Sequence, residues 1–229
     1  MSNKFKLSER LLECAKIVSS GAKIADIGTD HAYIPIWLAQ NCKISSALAC
    51  DVRTGPLQNA EKNIQKYALS SIIKTRLSDG LNEVSENEAD EIIIAGMGGN
   101  IISKILDECK WNNKSEKIFI LQPMKYEERL RDFLANNGYK ICFENAVISS
   151  GKVYSTMKVI FCNKKQQIKD YEKYIGKLGE NFQTPAAQAY IKKQIKNLEN
   201  HIFGAKSENS KELENYYYNV IEDLKKFLI

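Results

Sequence analysis

The chain has 229 residues, 44% of them hydrophobic, and 33 basic against 28 acidic side chains, a net charge of +5. That length suits one α/β domain of about 160 residues plus an appendage, and the small positive excess permits an anionic partner without requiring one. Six cysteines with no C-x-x-C pair argue against a disulfide framework or a zinc site, and no apolar run is long enough to span a bilayer. The opening Met1–Lys4 leads into an amphipathic pattern and not a secretory signal, so a cytoplasmic location is expected, with no membrane and no metal.

Periodicity predicts a helix over Ser8–Val18, with Leu7, Leu11, Leu12, Ala15 and Val18 on one face and Ser8 as N-cap. Strands are then expected at Lys23–Ile27, Ser46–Asp51, Ile73–Leu77, Glu91–Ala95 and Lys117–Leu121. Helical patterns separate them at Pro35–Gln40, Pro56–Ala68, Asn100–Cys109 and Glu127–Asn136. Pro56 fits a first helical turn, and Gly138 fits the position just past a helix end. Strands spaced by helices imply βαβ units and a parallel sheet. Lys140–Ser149 and Val153–Phe161 then read as two strands joined by Ser149-Ser150-Gly151-Lys152, an antiparallel hairpin at the sheet edge. Five parallel strands followed by such a hairpin is the Rossmann-like topology of class I methyltransferases.

Beyond Cys162 no strand pattern remains. Tyr190, Ile191, Ile195, Leu198 and Ile202 repeat at helical spacing, as do Leu213, Tyr217, Val220, Ile221, Leu224, Phe227 and Leu228, with a polar break at Gly204–Ser210. Residues 163–229 are therefore read as a helical hairpin or coiled-coil domain following a cofactor-binding domain over 1–162. The apolar stripes can pair within one chain or between two, and a monomer is the expectation. This segment holds 12 Lys and no Arg against 9 acidic residues. Those charges either keep the hairpin soluble or form a nucleic-acid clamp, with Lys192, Lys193 and Lys196 on one outer face to neutralise phosphates.

Four features fall at successive strand ends, where open α/β sheets bind ligands. The first is Asp26-Ile27-Gly28-Thr29-Asp30-His31-Ala32-Tyr33, a strand, a tight turn and a helix start. It departs from G-x-G-x-x-G, with Asp26 and His31 where glycines would stand. An acidic residue there repels a pyrophosphate and suits a cationic cofactor such as S-adenosylmethionine. Asp51 closes the second strand, where it can accept from both ribose hydroxyls or cap the next helix; Val52 follows it. Asp79-Gly80 follows the third strand, where the carboxylate can accept from an adenine amino group or serve an ordinary turn. Ala95-Gly96-Met97-Gly98-Gly99 follows the fourth, a side-chain-poor loop without the Gly-Lys-Ser/Thr of a phosphate-binding P-loop. Leu121-Gln122-Pro123-Met124 ends the fifth, facing the same crevice.

Asp-Ile-Gly-Thr-Asp-His-Ala-Tyr-Ile-Pro, Ser-Asp-Gly, Ile-Ala-Gly-Met-Gly-Gly and Leu-Gln-Pro together resemble the bacterial tRNA (adenine-N1)-methyltransferases that modify position 22. Lys-Leu-Ser-Glu-Arg-Leu at 6–11 fits that family's N-terminal helix, and the C-terminal helices fit its coiled-coil domain, so the likeness covers the whole chain. It implies S-adenosylmethionine as donor and N1 of a tRNA adenosine as acceptor. One departure is Met124, where the family often has Asn, which removes an amide that could hold the target base; Gln122 stays available. The resemblance makes Asp30 the expected catalytic carboxylate facing the substrate, against a reading as helix N-cap. Cofactor contacts are expected from Asp26, Gly28, Thr29, His31, Asp51, Val52, Asp79, Gly80, Ala95, Gly96, Met97 and Gly98. His31 either contacts the cofactor carboxylate or is structural. Tyr33 either stacks on a flipped-out adenine or packs on the sheet. Arg10 either reaches a phosphate or the methionine carboxylate, or lies on the surface. Two rivals are a methyltransferase of another substrate and a non-catalytic RNA-binding protein.

Overall fold

The alternation of strand and helix is realised in a single mixed sheet, seen in a computed structural model that describes residues 5–111 and 117–229. The expectation for Met1–Lys4 lies outside the described residues. In chain order the elements are α1 (Glu9–Lys16), β1 (Ala22–Ile27), α2 (Tyr33–Gln40), β2 (Ile44–Asp51), α3 (Thr54–Lys66) and β3 (Ile73–Leu77). They continue with β4 (Glu91–Met97), α4 (Gly99–Glu108), β5 (Ile118–Pro123), α5 (Glu127–Asn136), β6 (Tyr139–Ser149) and β7 (Lys152–Phe161). The last are α6 (Asp170–Ile175), a 3-10 segment at Gly176–Asn181, α7 (Pro185–Ser207) and α8 (Lys211–Lys225).

The sheet order is β3-β2-β1-β4-β5-β7-β6, with β1 to β5 parallel and β7 antiparallel to both β5 and β6. Ile24, Ile92, Ile93 and Ile94 are wholly buried, as central parallel strands covered on both faces must be. Alternate residues feed two cores: Ala25, Ile27, Ile92 and Ile94 on one face, Ile24, Ile93 and Ile120 on the other. The hairpin between β6 and β7 turns through Ser150 at φ 50 and Gly151 at φ 73, the left-handed pair that a two-residue hairpin requires.

Several expectations need adjusting. Ser8 occupies the N-cap position of α1 but makes no side-chain capping bond, and the helix ends at Lys16, not Val18. Gly204 does not break the helix: α7 runs on to Ser207, and only Glu208–Ser210 separates it from α8. The short α6 and the 3-10 segment carry no long periodic stripe and were not anticipated. They matter, because Tyr174, Ile175 and Leu178 join Tyr190, Ile191, Leu198, Val220 and Leu224 in a third core that also takes Ala146 of β6. The two apolar stripes thus pack within one chain, except for exposed Leu213.

A buried ion pair between α5 and β6 anchors these helices through its remaining hydrogen bonds. Arg131 of α5 and Glu144 of β6 have side chains 1% and 0% exposed and meet at 2.7 Å. The same guanidinium donates to the carbonyls of Lys173 and Tyr174, each at 2.8 Å, and to the Tyr190 hydroxyl at 2.9 Å. Burial works against its charge, but the Glu144 carboxylate and the Tyr190 hydroxyl outweigh that and hold it protonated. Breaking such a pair from one side leaves a buried charge without a partner. Arg131→Ala should therefore lower unfolding free energy by roughly 3–5 kcal/mol in urea titration, whereas a joint Arg131→Met/Glu144→Leu exchange should restore most of it. A single-variant loss below about 1 kcal/mol would show that the clasp contributes no more than a surface pair.

Candidate active site

The opening turn is fixed from both sides. Gly28 has φ 76, and the N–H groups of Gly28 and Thr29 both donate to Cys50 O at 2.8 Å, pinning the turn to the end of β2. A side chain at Gly28 would collide with the methyl group of Met97, which reaches across from the end of β4. Glycine is needed there for conformation and for space. The following helix begins from Ala32 in the left-handed region, so Asp30 does not cap it. Asp30 is exposed instead, with its Oδ2 3.2 Å from His31 Nε2.

A cavity of about 600 Å³ opens above this turn. Arg10, Asp26, Gly28, Thr29, Asp30, His31, Tyr33, Ala95 and Gly96 line it, so nine of the expected site residues converge on one space. Its other wall is Phe5, Lys6, Leu7, Ser8 and Leu11, which the sequence reading did not assign to the site. The available signal was the Lys-Leu-Ser-Glu-Arg-Leu segment, read only as a helix start.

The electrostatics beneath the cavity are lopsided. Asp26 is 6% exposed, and burial pushes its carboxyl up to about 6; Thr29 opposes that shift and the Asp51 carboxylate reinforces it. Among the described residues no cation pairs with Asp26. Asp51 is also buried; its Oδ1 accepts from the Arg53 N–H at 2.9 Å, and the exposed Arg53 side chain lies 3.6 Å away. Two buried carboxylates with one loose cation between them would repel a pyrophosphate and attract a positively charged ligand. Beside them Val52 is 58% exposed, an apolar face where a flat ring can rest. The residues present therefore fit S-adenosylmethionine: a cation, a ribose and an adenine.

Other expected residues lie as follows. Asp79 is exposed after β3, with Gly80 in the left-handed region at φ 57. The loop after β4 is tied to the corner after β5, because Met124 N–H donates to Met97 O at 2.7 Å and Gly99 N–H to Lys125 O at 2.8 Å. Gly98 is buried against Lys125, and a side chain on Gly99 would strike the carbonyl of Tyr126. Tyr33 stacks with Phe5 and with His31, both at 4.8 Å between ring centroids, so an entering base meets a three-ring assembly and not a lone ring.

Two expectations are corrected. Gln122 is not available to a substrate: it is fully buried, its Oε1 accepts from Arg10 Nη1 at 2.8 Å, and its Nε2 donates to Pro123 O at 2.8 Å. Its role is to hold Arg10 at the cavity wall. Lys193 is not on an outer face with Lys192 and Lys196: it turns inward to Glu127 Oε1 at 2.7 Å, since it follows the packed face of α7. Lys192 and Lys196 are exposed. Among the described residues no cluster of three or more His, Cys, Asp or Glu could hold a metal, and no helix is long and apolar enough to cross a membrane.

Known proteins share this arrangement. Residues 7–157 match the family described as "Methyltransferase domain". The tRNA (adenine(22)-N(1))-methyltransferase of Bacillus subtilis is 38% identical over 155 residues, which span 68% of this chain and 65% of that relative. The crystal structure of the B. subtilis m1A22 tRNA methyltransferase TrmK is 27% identical, with a TM-score of 0.86 and coverage of 98% of this chain and 100% of that one. M. capricolum TrmK in complex with S-adenosyl-homocysteine is 30% identical, with a TM-score of 0.80 and coverage of 97% and 99%. The chain belongs to the class I methyltransferases and, within them, to the tRNA (adenine(22)-N1)-methyltransferase family.

Proposed function

We propose that this protein methylates N1 of an adenosine in tRNA, at position 22, with S-adenosylmethionine as donor. The observation that carries the reading is the unpaired, buried Asp26 beneath a cavity whose rim presents Asp30. Family membership and the relative bound to S-adenosyl-homocysteine support it. Asp26 and Asp51 would set the charge under the cofactor, with Asp51 accepting from the ribose hydroxyls. Val52 and Asp79-Gly80 would meet the adenine, while Gly28, Thr29, His31 and the Ala95–Gly98 loop close round the remainder. Arg10, held by Gln122, would meet a carboxylate or phosphate.

When bound, the cofactor supplies an electrophilic methyl group, and the neutral ring nitrogen that accepts it gains one positive charge. The protein has two tasks: to align the reactants out of water, and to place negative charge where the positive charge appears. Asp30 performs the second. It is exposed at the mouth, and its neighbour His31 fixes one carboxylate oxygen by the 3.2 Å contact. The Phe5–Tyr33–His31 assembly forms an aromatic wall for the base. Residues 1–162 would supply this chemistry and 163–229 would help hold the RNA, with exposed Lys192 and Lys196 neutralising phosphates. Packing of both apolar stripes inside one chain, all but Leu213, supports a monomer, and a cytoplasmic location suits a tRNA substrate.

Incubation with radiolabelled S-adenosylmethionine and unmodified tRNA, followed by mapping of the methylated base, tests the reaction. Label at N1 of adenosine 22 is expected; label elsewhere, or on protein or small molecules only, overturns it. Asp30→Ala should lower methyl transfer by ~10²–10³-fold while leaving cofactor affinity within about twofold, since the charge it opposes develops only during transfer. An unchanged rate would remove Asp30 from the chemistry.

Asp26 makes a pH prediction with a definite sign. Its folded-state pKa of about 6 lies above the ordinary value of 3.8, so the folded protein holds that proton longer than the unfolded chain. Its contribution to stability is greatest below the lower value and is lost as pH rises through the higher one. A cationic cofactor reverses the preference and favours the ionised form. Cofactor affinity measured by calorimetry should therefore rise from pH 5 to pH 7 with net proton release, and Asp26→Asn should flatten both the binding and the stability profiles. Equal affinity across that range would contradict the placement of the cation over Asp26.

Truncating 163–229 would strip Arg131 of its Lys173, Tyr174 and Tyr190 partners, so the RNA-holding role is better tested by charge removal. The joint Lys192→Gln/Lys196→Gln variant should weaken tRNA binding and reduce the slope of log affinity against log salt by about 1.4–1.8, the release expected for two phosphate contacts. An unchanged slope would place the RNA elsewhere.

A further inference from the structure

Tyr126 breaks two local rules at once. It is the N-cap of α5 yet offers no side-chain capping bond, and its backbone sits in the left-handed region at φ 60, ψ 39. Asn or Gly would be ordinary there; a tyrosine costs strain and supplies no cap. Nor does the ring contribute burial in compensation, because Tyr126 is 40% exposed. The backbone around it is held firmly, by the Gly99 N–H bond to Lys125 O and by close packing of the Tyr126 carbonyl over Gly99. The fold thus holds an aromatic ring outward at a fixed place, on the corner that Met124 ties to Met97 beside the cofactor turn.

Two cations accompany the ring. Lys125 Nζ lies 5.2 Å from its centroid and Arg129 Cζ 4.9 Å. Lys125 is exposed and forms no ion pair among the described residues, and Arg129 has only a loose 3.8 Å contact to Glu128. Adjacent Met124 is also exposed. An aromatic surface with two exposed cations over it is the chemistry that receives an unstacked nucleotide: the base lies on the ring or on the guanidinium plane, and the displaced cation meets a phosphate.

We propose that Tyr126, with Lys125 and Arg129, forms a second RNA-binding site at the mouth of the active cavity, stacking an unpaired nucleotide next to the one whose base enters. This rests on the RNA-methylation reading above. The site anchors the strand outside the cavity, so it acts on RNA affinity and leaves cofactor binding alone.

The test measures three quantities on the full chain: affinity for unmodified tRNA by fluorescence anisotropy, cofactor affinity by calorimetry, and thermal unfolding. Tyr126→Ala should weaken tRNA binding by roughly 5- to 150-fold, the range for stacking of one base, and Tyr126→Phe and Tyr126→Trp should retain affinity. Lys125→Gln/Arg129→Gln should lower the salt slope by about 1.4, as for two phosphates of a single strand. Tyr126→Gly is the sharpest variant: it removes the left-handed strain, so unfolding temperature should hold or rise while tRNA affinity falls. A structural tyrosine would lose stability and affinity together, and that result overturns the proposal. So does wild-type tRNA affinity in Tyr126→Ala. If the unaltered protein binds no tRNA at all, the methylation reading falls and this site falls with it.

Discussion

The reversal of strand order between β1 and β4 is the constraint on which the rest depends. To one side of β1 the sheet continues through β2 and β3, to the other through β4 and β5, so the connections leave the carboxyl ends of β1 and β4 in opposite directions. That leaves a crevice at the strand ends, walled on its open side by Arg10 and Leu11 of α1. Asp26 lies one residue short of the end of β1, and packing on both faces of the sheet buries it there. The fold thus creates an unfavourable carboxylate at a place where the chain leaves space for a compensating ligand. Burial and vacancy share one topological cause.

The same corner explains why glycine recurs around the cavity. Three loops, after β1, β4 and β5, approach within contact distance: Met97 covers Gly28, Lys125 covers Gly98, and the Tyr126 carbonyl covers Gly99. Gly28 and Gly99 leave room for a group from the neighbouring loop, whereas a side chain at Gly98 would meet Lys125 at ordinary contact distance. The three loops therefore behave as one interlocked rim, and a displacement at the β5 corner transmits to the cofactor turn through Met97. Rigidity there matters because alignment of reactants loses value quickly with misplacement.

Much of this was legible in the sequence because it depends on local pattern. The five parallel strands, the terminal hairpin and the long helices follow from apolar periodicity, and the acidic strand ends follow from position. What was not legible depends on long-range pairing. Gln122 looks identical in sequence whether it faces a substrate or Arg10, 112 residues away. Lys193 differs from Lys192 and Lys196 only by a helical rotation that turns it toward Glu127, in another element. The short α6 is held less by its own pattern than by Arg131 donating to two of its carbonyls. Tyr126 was readable in principle as an aromatic among Lys125 and Arg129, but its left-handed backbone appears only in three dimensions.

The Arg131 clasp connects these observations to RNA recognition. Arg131 lies on α5 four residues after Glu127, and Glu127 takes Lys193 of α7. The helix that opens at Tyr126 is therefore the one gripped twice by the C-terminal helices, through an ion pair at its start and a buried network one turn later. If RNA binds the exposed face of α7 as proposed, any torque it exerts would pass into α5, and from its first turn toward the rim of the cavity. A loosely docked C-terminal unit could raise RNA affinity without orienting the base. Here the buried charge makes docking stiff, since any partial separation would strip the Arg131–Glu144 pair of its hydrogen bonds to Lys173, Tyr174, Lys177 and Tyr190 in a dry environment. That stiffness would let the proposed sites on α7 and at Tyr126 define one path for the strand.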